Sequence, residues 1–225
     1  MVSIIIPVLN EEECIEGFLN HLQKFKGQAE IILVDGGSKD QTIEIASRFD
    51  DITIVSNGRG RALQMNAGAK VANGDILLFL HADTYLPENA INAVENIIRD
   101  GADGGCFSLK IDSSHLLLRI AARFITRRTK ITHVATGDQT IFVRYQIFDE
   151  LGGYADMPLM EDLDFTRRLK KIGTFVELDL KVSTSARRWE KWGVYKTILL
   201  MWLLRILYYI GVPPEKLVEF YRDVR

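Results

Sequence analysis

His81 and Asp83 stand two residues apart, just past an unbroken apolar run, Ile76-Leu-Leu-Phe-Leu80. Two such positions project to the same side of an extended chain. An imidazole and a carboxylate placed together can hold a hard or borderline divalent cation. The apolar run fits a strand buried on both faces of a parallel sheet. Open α/β sheets bind ligands just beyond the carboxyl ends of such strands, so Asp83 falls where a site belongs. A second reading makes Asp83 a helix cap, since Pro87 can open a helix a little further on.

Other reactive groups occupy similar places. Glu11 follows the first apolar run and Asp35 closes the second. Arg61 follows a loop broken by glycines, Asn57-Gly-Arg-Gly60, where a guanidinium can grip phosphate bidentately. The alternative for Arg61 is a solvated residue at a helix start. Glu161 and Asp162 adjoin one another at a helix start, which suits capping as well as proton transfer.

These groups need elements to position them, and the apolar pattern supplies them. Strands are predicted over 2–8, 30–34, 52–55 and 76–80, with helices over 10–22, 42–49 and 61–72 between them. That alternation implies a parallel sheet with right-handed crossovers. Beyond it, the spacing predicts helices over 88–99, 115–124, 145–151 and 162–172, and strands over 104–111, 140–143 and 174–178. No repeat or low-complexity linker marks a domain boundary.

A chain of 225 residues is long enough for one α/β domain with a full core, or for two small ones. Its formal charge of -2 argues against a nucleic-acid partner, which would want a basic excess. Cys14 and Cys106 lie far apart in no metal-ligand spacing, and both are expected as small core residues in a reducing compartment. Met1 leads straight into Val2-Ser-Ile-Ile-Ile6 with no basic region before it, so no signal peptide is expected. The expected location is cytoplasmic, with the inner face of the cell membrane as a peripheral alternative.

That alternative comes from residues 195–210, an expected apolar helix. From Thr197 to Ile210 only Thr197 and Arg205 are polar, and the stretch is short of the about 20 apolar residues a comfortable span needs. Trp192, Trp202, Tyr208 and Tyr209 suit a bilayer interface. Lys196, Arg205 and the cluster Arg119, Arg123, Arg127, Arg128 and Lys130 can meet anionic headgroups. The competing reading packs this helix on the domain or on a second copy of the chain.

Several segments, taken in order, resemble family 2 glycosyltransferases of the GT-A fold. They are Val2-Ser-Ile-Ile-Ile-Pro-Val-Leu-Asn-Glu-Glu12, Val34-Asp-Gly-Gly-Ser-Lys-Asp-Gln-Thr42, Asn66-Ala-Gly-Ala69 with Asn73-Gly-Asp-Ile-Leu-Leu-Phe-Leu80, and Glu161-Asp-Leu-Asp-Phe-Thr-Arg-Arg-Leu169. His81-Ala-Asp83 falls where the family carries Asp-x-Asp. His-Ala-Asp-Thr and Thr-Gly-Asp-Gln are similar to a small stand-alone subgroup labelled radical-SAM/selenodomain-associated transferase 2. The resemblance implies a Rossmann-like, mostly parallel sheet flanked by helices over residues 1–190. A nucleotide-binding half would span about 1–105 and an acceptor half about 106–190, with a C-terminal apolar helical extension over 191–225.

The resemblance also implies an activity. An inverting, metal-dependent transfer would move a sugar from a UDP- or GDP-linked donor to a small molecule or a lipid-linked phosphate. Pro7, Asn10, Glu11, Asp35, Gly36, Arg61, His81, Ala82 and Asp83 would form the donor site. Asp83, with His81 standing in for the usual first Asp, would hold Mn2+ or Mg2+. Asp162 would be the general base with Glu161 beside it. Asp138 and Gln139, and Arg187, Arg188 and Trp189, would contact acceptor or phosphate. The last three are similar to the Arg-Trp of processive members, without their preceding Gln. Two other classes compete: a sugar-nucleotide nucleotidyltransferase and a non-catalytic binding module. The first wants a glycine-rich basic loop after the first strand, where this chain has the acidic Pro7-Val-Leu-Asn-Glu-Glu12.

Overall fold

The computed structural model describes residues 1–222; the side chains of Arg188 and Arg222 lie outside the described residues. The strands are β1 (Val2–Val8), β2 (Ala29–Asp35), β3 (Ile52–Ser56), β4 (Ile76–Phe79), β5 (Thr84–Tyr85), β6 (Gly104–Asp112), β7 (Ile141–Arg144) and β8 (Phe175–Ser185). The helices are α1 (Ile15–Leu22), α2 (Thr42–Ala46), α3 (Arg61–Val71), α4 (Ala90–Arg99), α5 (Leu116–Thr132), α6 (Tyr145–Glu150), α7 (Glu161–Ile172), α8 (Arg187–Trp192), α9 (Val194–Tyr209) and α10 (Pro214–Arg222).

One sheet joins all the described strands in the order β3-β2-β1-β4-β7-β6-β8-β5. The first four are parallel, as the alternation predicts. β7 enters antiparallel between β4 and β6, and β8 runs parallel to β6. β1 lies between β2 and β4, so the chain leaves it in one direction and later returns on its other side. Such a reversal opens a crevice at the carboxyl ends of β1 and β4.

β1 is buried along its length apart from Pro7. Ile4 and Ile6 pack with α1, α4 and α5 on one face of the sheet, whereas Ile5 packs with α3 and α7 on the other. Each such isoleucine contributes about 1.5–3 kcal/mol by leaving water. Close approach of α3 explains Asn66-Ala-Gly-Ala69: a Cβ on Gly68 would fall 2.5 Å from Ile5 Cγ2. Asn66 meanwhile pairs with the backbone of Tyr154 through both amide groups, at 2.8 and 2.9 Å.

Several boundaries differ from expectation. α1 starts at Ile15 rather than at residue 10, because Asn10 takes a left-handed φ of 54° and turns the chain first. α5 extends to Thr132 and β8 to Ser185. β5, α8 and α10 are additional elements. The apolar α9 packs inward through Leu204 on Leu159, Met160 and Leu163, together with Leu217 and Tyr221 of α10. Among the described residues, no helix is long and apolar enough to cross a membrane.

Candidate active site

The crevice has two ends. At the first, the loops after β1 and β2 are sewn together. Gln64, buried on α3, donates to the carbonyls of Val8 and Val34, both at 2.8 Å. It thus ties the carboxyl ends of β1 and β2 to α3. Asp35, also buried, accepts the Ser38 N–H at 3.0 Å and the Ser38 hydroxyl at 2.6 Å. Asn10 accepts the Lys39 N–H at 2.8 Å and donates its own N–H to the Ser38 hydroxyl at 3.0 Å. Gly36 donates to the Val8 carbonyl at 2.9 Å. A Cβ on Gly36 would stand 3.0 Å from Gln64, so only a minimal residue fits there without displacing it.

Arg187 reaches this end from α8. Its guanidinium lies 3.7 Å from the Glu11 carboxylate and 3.2 Å from the Cys14 sulfur. Burial opposes its charge, yet Cys14 and the carboxylates of Glu11 and Asp83 hold it above its ordinary value. Cys14 corrects one expectation: it is half-buried at the edge of the site rather than in the core, where Cys106 does lie. Burial and the neighbouring Glu11 push the Cys14 thiol up to about 11, so it stays protonated and unreactive.

The second end gathers around a turn. Thr84 N–H donates to the His81 carbonyl at 3.0 Å, so residues 81–84 bend instead of extending. His81 and Asp83 are therefore not side by side as an extended chain would have them. His81 Nδ1 lies 3.3 Å from Asp138. Asp83 accepts the Thr84 hydroxyl at 3.2 Å, and its carbonyl accepts the Ser185 N–H at 3.0 Å. Asp162 accepts the N–H groups of Gly137 and Leu163, both at 2.7 Å. Gly137 is wedged there: a Cβ on it would lie 2.7 Å from the His81 ring. Glu161 is buried and meets Arg61 at 3.3 Å. Burial raises the Glu161 carboxyl, and Arg61 opposes that rise. Met160, at a left-handed φ of 69°, turns the chain so that both acids start α7.

The structure thus brings Asn10, Glu11, Asp35, Gly36 and Arg187 to one end, and His81, Asp138, Asp162, Glu161 and Arg61 to the other. The side chains of Ala82 and Gln139 are both buried. Ala82 is buried in the core. Gln139 is wholly buried, accepting the Thr129 hydroxyl at 2.8 Å and donating to the Phe107 carbonyl at 3.3 Å. It holds the 136–139 loop, accepting the Thr136 N–H at 3.3 Å as well. Trp189 is half-buried against the apolar core. The expectation for Arg188 lies outside the described residues. Gln64 lies in none of the sequence motifs; a glutamine one turn into a helix after a glycine-broken loop is the available sign for it.

Among the described residues, no three His, Cys, Asp or Glu side chains stand together as a metal cage. A cation shared with substrate phosphates needs only one or two carboxylates from the protein. Asp83 fits that role, being partly exposed with one hydroxyl partner and, among the described residues, no cation within ion-pair distance.

A mostly parallel α/β sheet flanked by helices, with acidic groups at its strand ends, is an architecture of the GT-A kind. The profile of "Glycosyl transferase family 2" matches residues 3–157, and the chain belongs to that family. The probable glycosyltransferase YdaM of Bacillus subtilis is 29% identical over 219 residues, which cover 86% of this chain and 52% of that protein. Glycosyltransferase AglE of Haloferax volcanii is 40% identical over 91 residues, covering 36% of this chain and 30% of that protein. The chain spans about half the length of the Bacillus relative. Among solved structures, S. aureus TarS 1-349 in complex with UDP-GlcNAc superposes with a TM-score of 0.67 at 20% identity, over 82% of this chain and 58% of that one. The mannosyltransferase PcManGT from Pyrobaculum calidifontis, in complex with GDP-Man and Mn2+, gives 0.65 at 19% identity, over 81% and 56%. At these identities the likeness is one of fold.

Proposed function

We propose that this chain is an inverting glycosyltransferase that takes a sugar from a nucleoside diphosphate and delivers it to a hydroxyl or phosphate oxygen, with Asp162 as general base. The observation that carries this is the fixing of Asp162 by two backbone N–H groups beside His81 and Asp138. A carboxylate so held is fixed in its aim, as a general base must be. Residues 1–105 would bind the donor and residues 106–190 the acceptor, with 191–225 as an extension.

Asp35 and Glu11 face the base and ribose in this reading, and Arg187 steadies the diphosphate. Asp83, with His81 before it, would hold Mn2+ or Mg2+ through the donor phosphates. When bound, that ion neutralises charge on the leaving diphosphate. Asp162 removes the acceptor proton while the new bond forms on the opposite side of the sugar from the departing diphosphate. The fold shared with proteins whose structures hold UDP-GlcNAc or GDP-Man and Mn2+ supports the donor class.

Calorimetric titration with UDP, GDP and their common sugar forms, each with and without manganese, tests the donor site. Binding of one nucleotide, tightened by metal, is the expected result; folded protein that binds none overturns the reading. Asp162→Asn, assayed for transfer near pH 6, is expected to lose about 10²–10⁴-fold in kcat and keep donor affinity within about twofold.

A further inference from the structure

α5 and α9 lie alongside one another and leave a broad apolar face uncovered. Leu116, Ile120, Phe124, Trp202, Leu203 and Ile206 are each 48–66% exposed on it. Between the helices runs a groove of about 340 Å³, within the range of small-molecule sites. Ile120, Ala121 and Phe124 form one wall and Ile198, Met201 and Trp202 the other. The Phe124 and Trp202 rings stand 5.1 Å apart.

The groove ends in charge. Asp138 and Arg205 line it, and Asp138 is the carboxylate that meets His81. The groove therefore opens on the Asp162 end of the active site. Arg205 shares this region with Arg128. Burial lowers the Arg128 guanidinium to about 10, and the like charge of Arg205 adds to the effect. Arg205 is also lowered by burial, which Asp162 and Asp138 offset only in part. Among the described residues, neither guanidinium has a carboxylate within ion-pair distance. Arg205, at the end of an apolar groove and without, among the described residues, a carboxylate in ion-pair distance, favours an anion there. On the other side of α5, a hollow of about 670 Å³ carries Lys110, Arg119, Arg123, Arg127, Lys130 and Lys181 against a single acid, Asp179. The apolar face is thus flanked by positive charge, the complement of an anionic bilayer.

We infer that the α5–α9 groove is the acceptor site and that the acceptor is a lipid monophosphate drawn from an anionic bilayer, its hydrocarbon chain along the groove past Ala121 and Ile198 and its phosphate at Arg205. The chemistry of this inference rests on the transferase reading; the binding does not. A phosphate oxygen forms the bond to the anomeric carbon, and the bond from that carbon to the nucleoside diphosphate breaks. The electron pair leaves with the diphosphate, and the remaining proton of a singly protonated phosphate passes to Asp162. Arg205 offsets repulsion between the incoming phosphate and that carboxylate.

The test uses the full chain with neutral phosphatidylcholine vesicles carrying a polyprenyl monophosphate, the matching polyprenol, or neither. Flotation and the fluorescence of Trp189 and Trp202 report binding; calorimetry with nucleotide sugars runs beside them. The expected result is binding at least tenfold tighter to the monophosphate vesicles than to the polyprenol vesicles. Arg205→Ala should remove most of that preference, and Ala121→Phe, which fills the groove, should weaken binding to both. Equal binding to phosphate and alcohol in the wild-type protein overturns the inference without recourse to a variant. So does a concentration-dependent dimer that shields Trp202 while no vesicle is bound. Nucleotide binding without lipid preference sinks the acceptor and leaves the transferase reading standing; lipid preference without nucleotide binding does the reverse.

Discussion

Asp162 and Gly137 depend on one another. The glycine N–H holds the carboxylate at 2.7 Å, and the absent side chain leaves room for the His81 ring. Gly137→Ala puts a methyl 2.7 Å from that ring, so the loop or the imidazole must shift. A displacement of about 1 Å at a reacting group can cost about 10²-fold in rate. Gly137→Ala is expected to lower kcat about 10–100-fold with donor affinity unchanged, as steady-state kinetics beside calorimetry would read. Unchanged kcat would count against Asp162 as the base. Glu161 differs in kind, since it is buried against Arg61 at 3.3 Å. Glu161→Gln leaves that guanidinium without its counter-charge and is expected to destabilise the protein by about 1–3 kcal/mol in urea unfolding. The sequence exposes such acids because carboxylates at element ends are conspicuous. It hides Gln64, whose contacts lie far along the chain and whose residue type is ordinary on helices.

Elements are tied at the opposite ends of the strands by a polar cluster. The Ser3 hydroxyl donates to Glu30 at 2.5 Å and accepts the Gly74 N–H at 2.9 Å; Asn73 donates to Glu30 from backbone and side chain at 2.9 and 2.6 Å. β1, β2 and the start of β4 are thereby pinned in register. Desolvation pushes the Glu30 carboxyl up, but these donors outweigh it and hold it below the ordinary 4.5. A lowered folded value means the ionised group contributes stability above pH 4.5, which is lost as pH falls through that lower value. Glu30→Gln is expected to cost about 1 kcal/mol at pH 7 and little at pH 3 in denaturant unfolding. A gap that stays constant with pH would refute the assignment. The strand–helix alternation that sets this register was legible because each of the first four strands is a run of apolar residues. β8 was legible only at its start, because its exposed and buried positions are interleaved with Glu177, Asp179 and Lys181. The two-residue β5 has no pattern to read. The turn at 81–84 broke the same-side argument for His81 and Asp83, since a period of two holds only while the chain stays extended.

The whole molecule has a third apolar cluster apart from the two that sandwich the sheet. It joins α9 and α10 to Leu159, Met160 and Leu163, the residues that lead into and follow Glu161 and Asp162. Packing of the C-terminal helices is therefore coupled to the placement of the acids, while the loops after β1 and β2 rest on the other clusters. Leu204 and Leu217 are fully buried there. Leu204→Ala opens a cavity that costs about 2–5 kcal/mol, less where the site collapses. Because the cluster is small and peripheral, the cost should appear first as local opening rather than global unfolding. Hydrogen exchange in Leu204→Ala is expected to speed up through α9, α10 and the first turn of α7, with amides of β1, β2 and β4 unchanged. Kinetically, the acceptor KM should rise several-fold before nucleotide affinity alters. If the β1 and β4 amides accelerate equally, the helices belong to one cooperative unit with the sheet, and the acids are positioned by the fold at large rather than by the C-terminal pair.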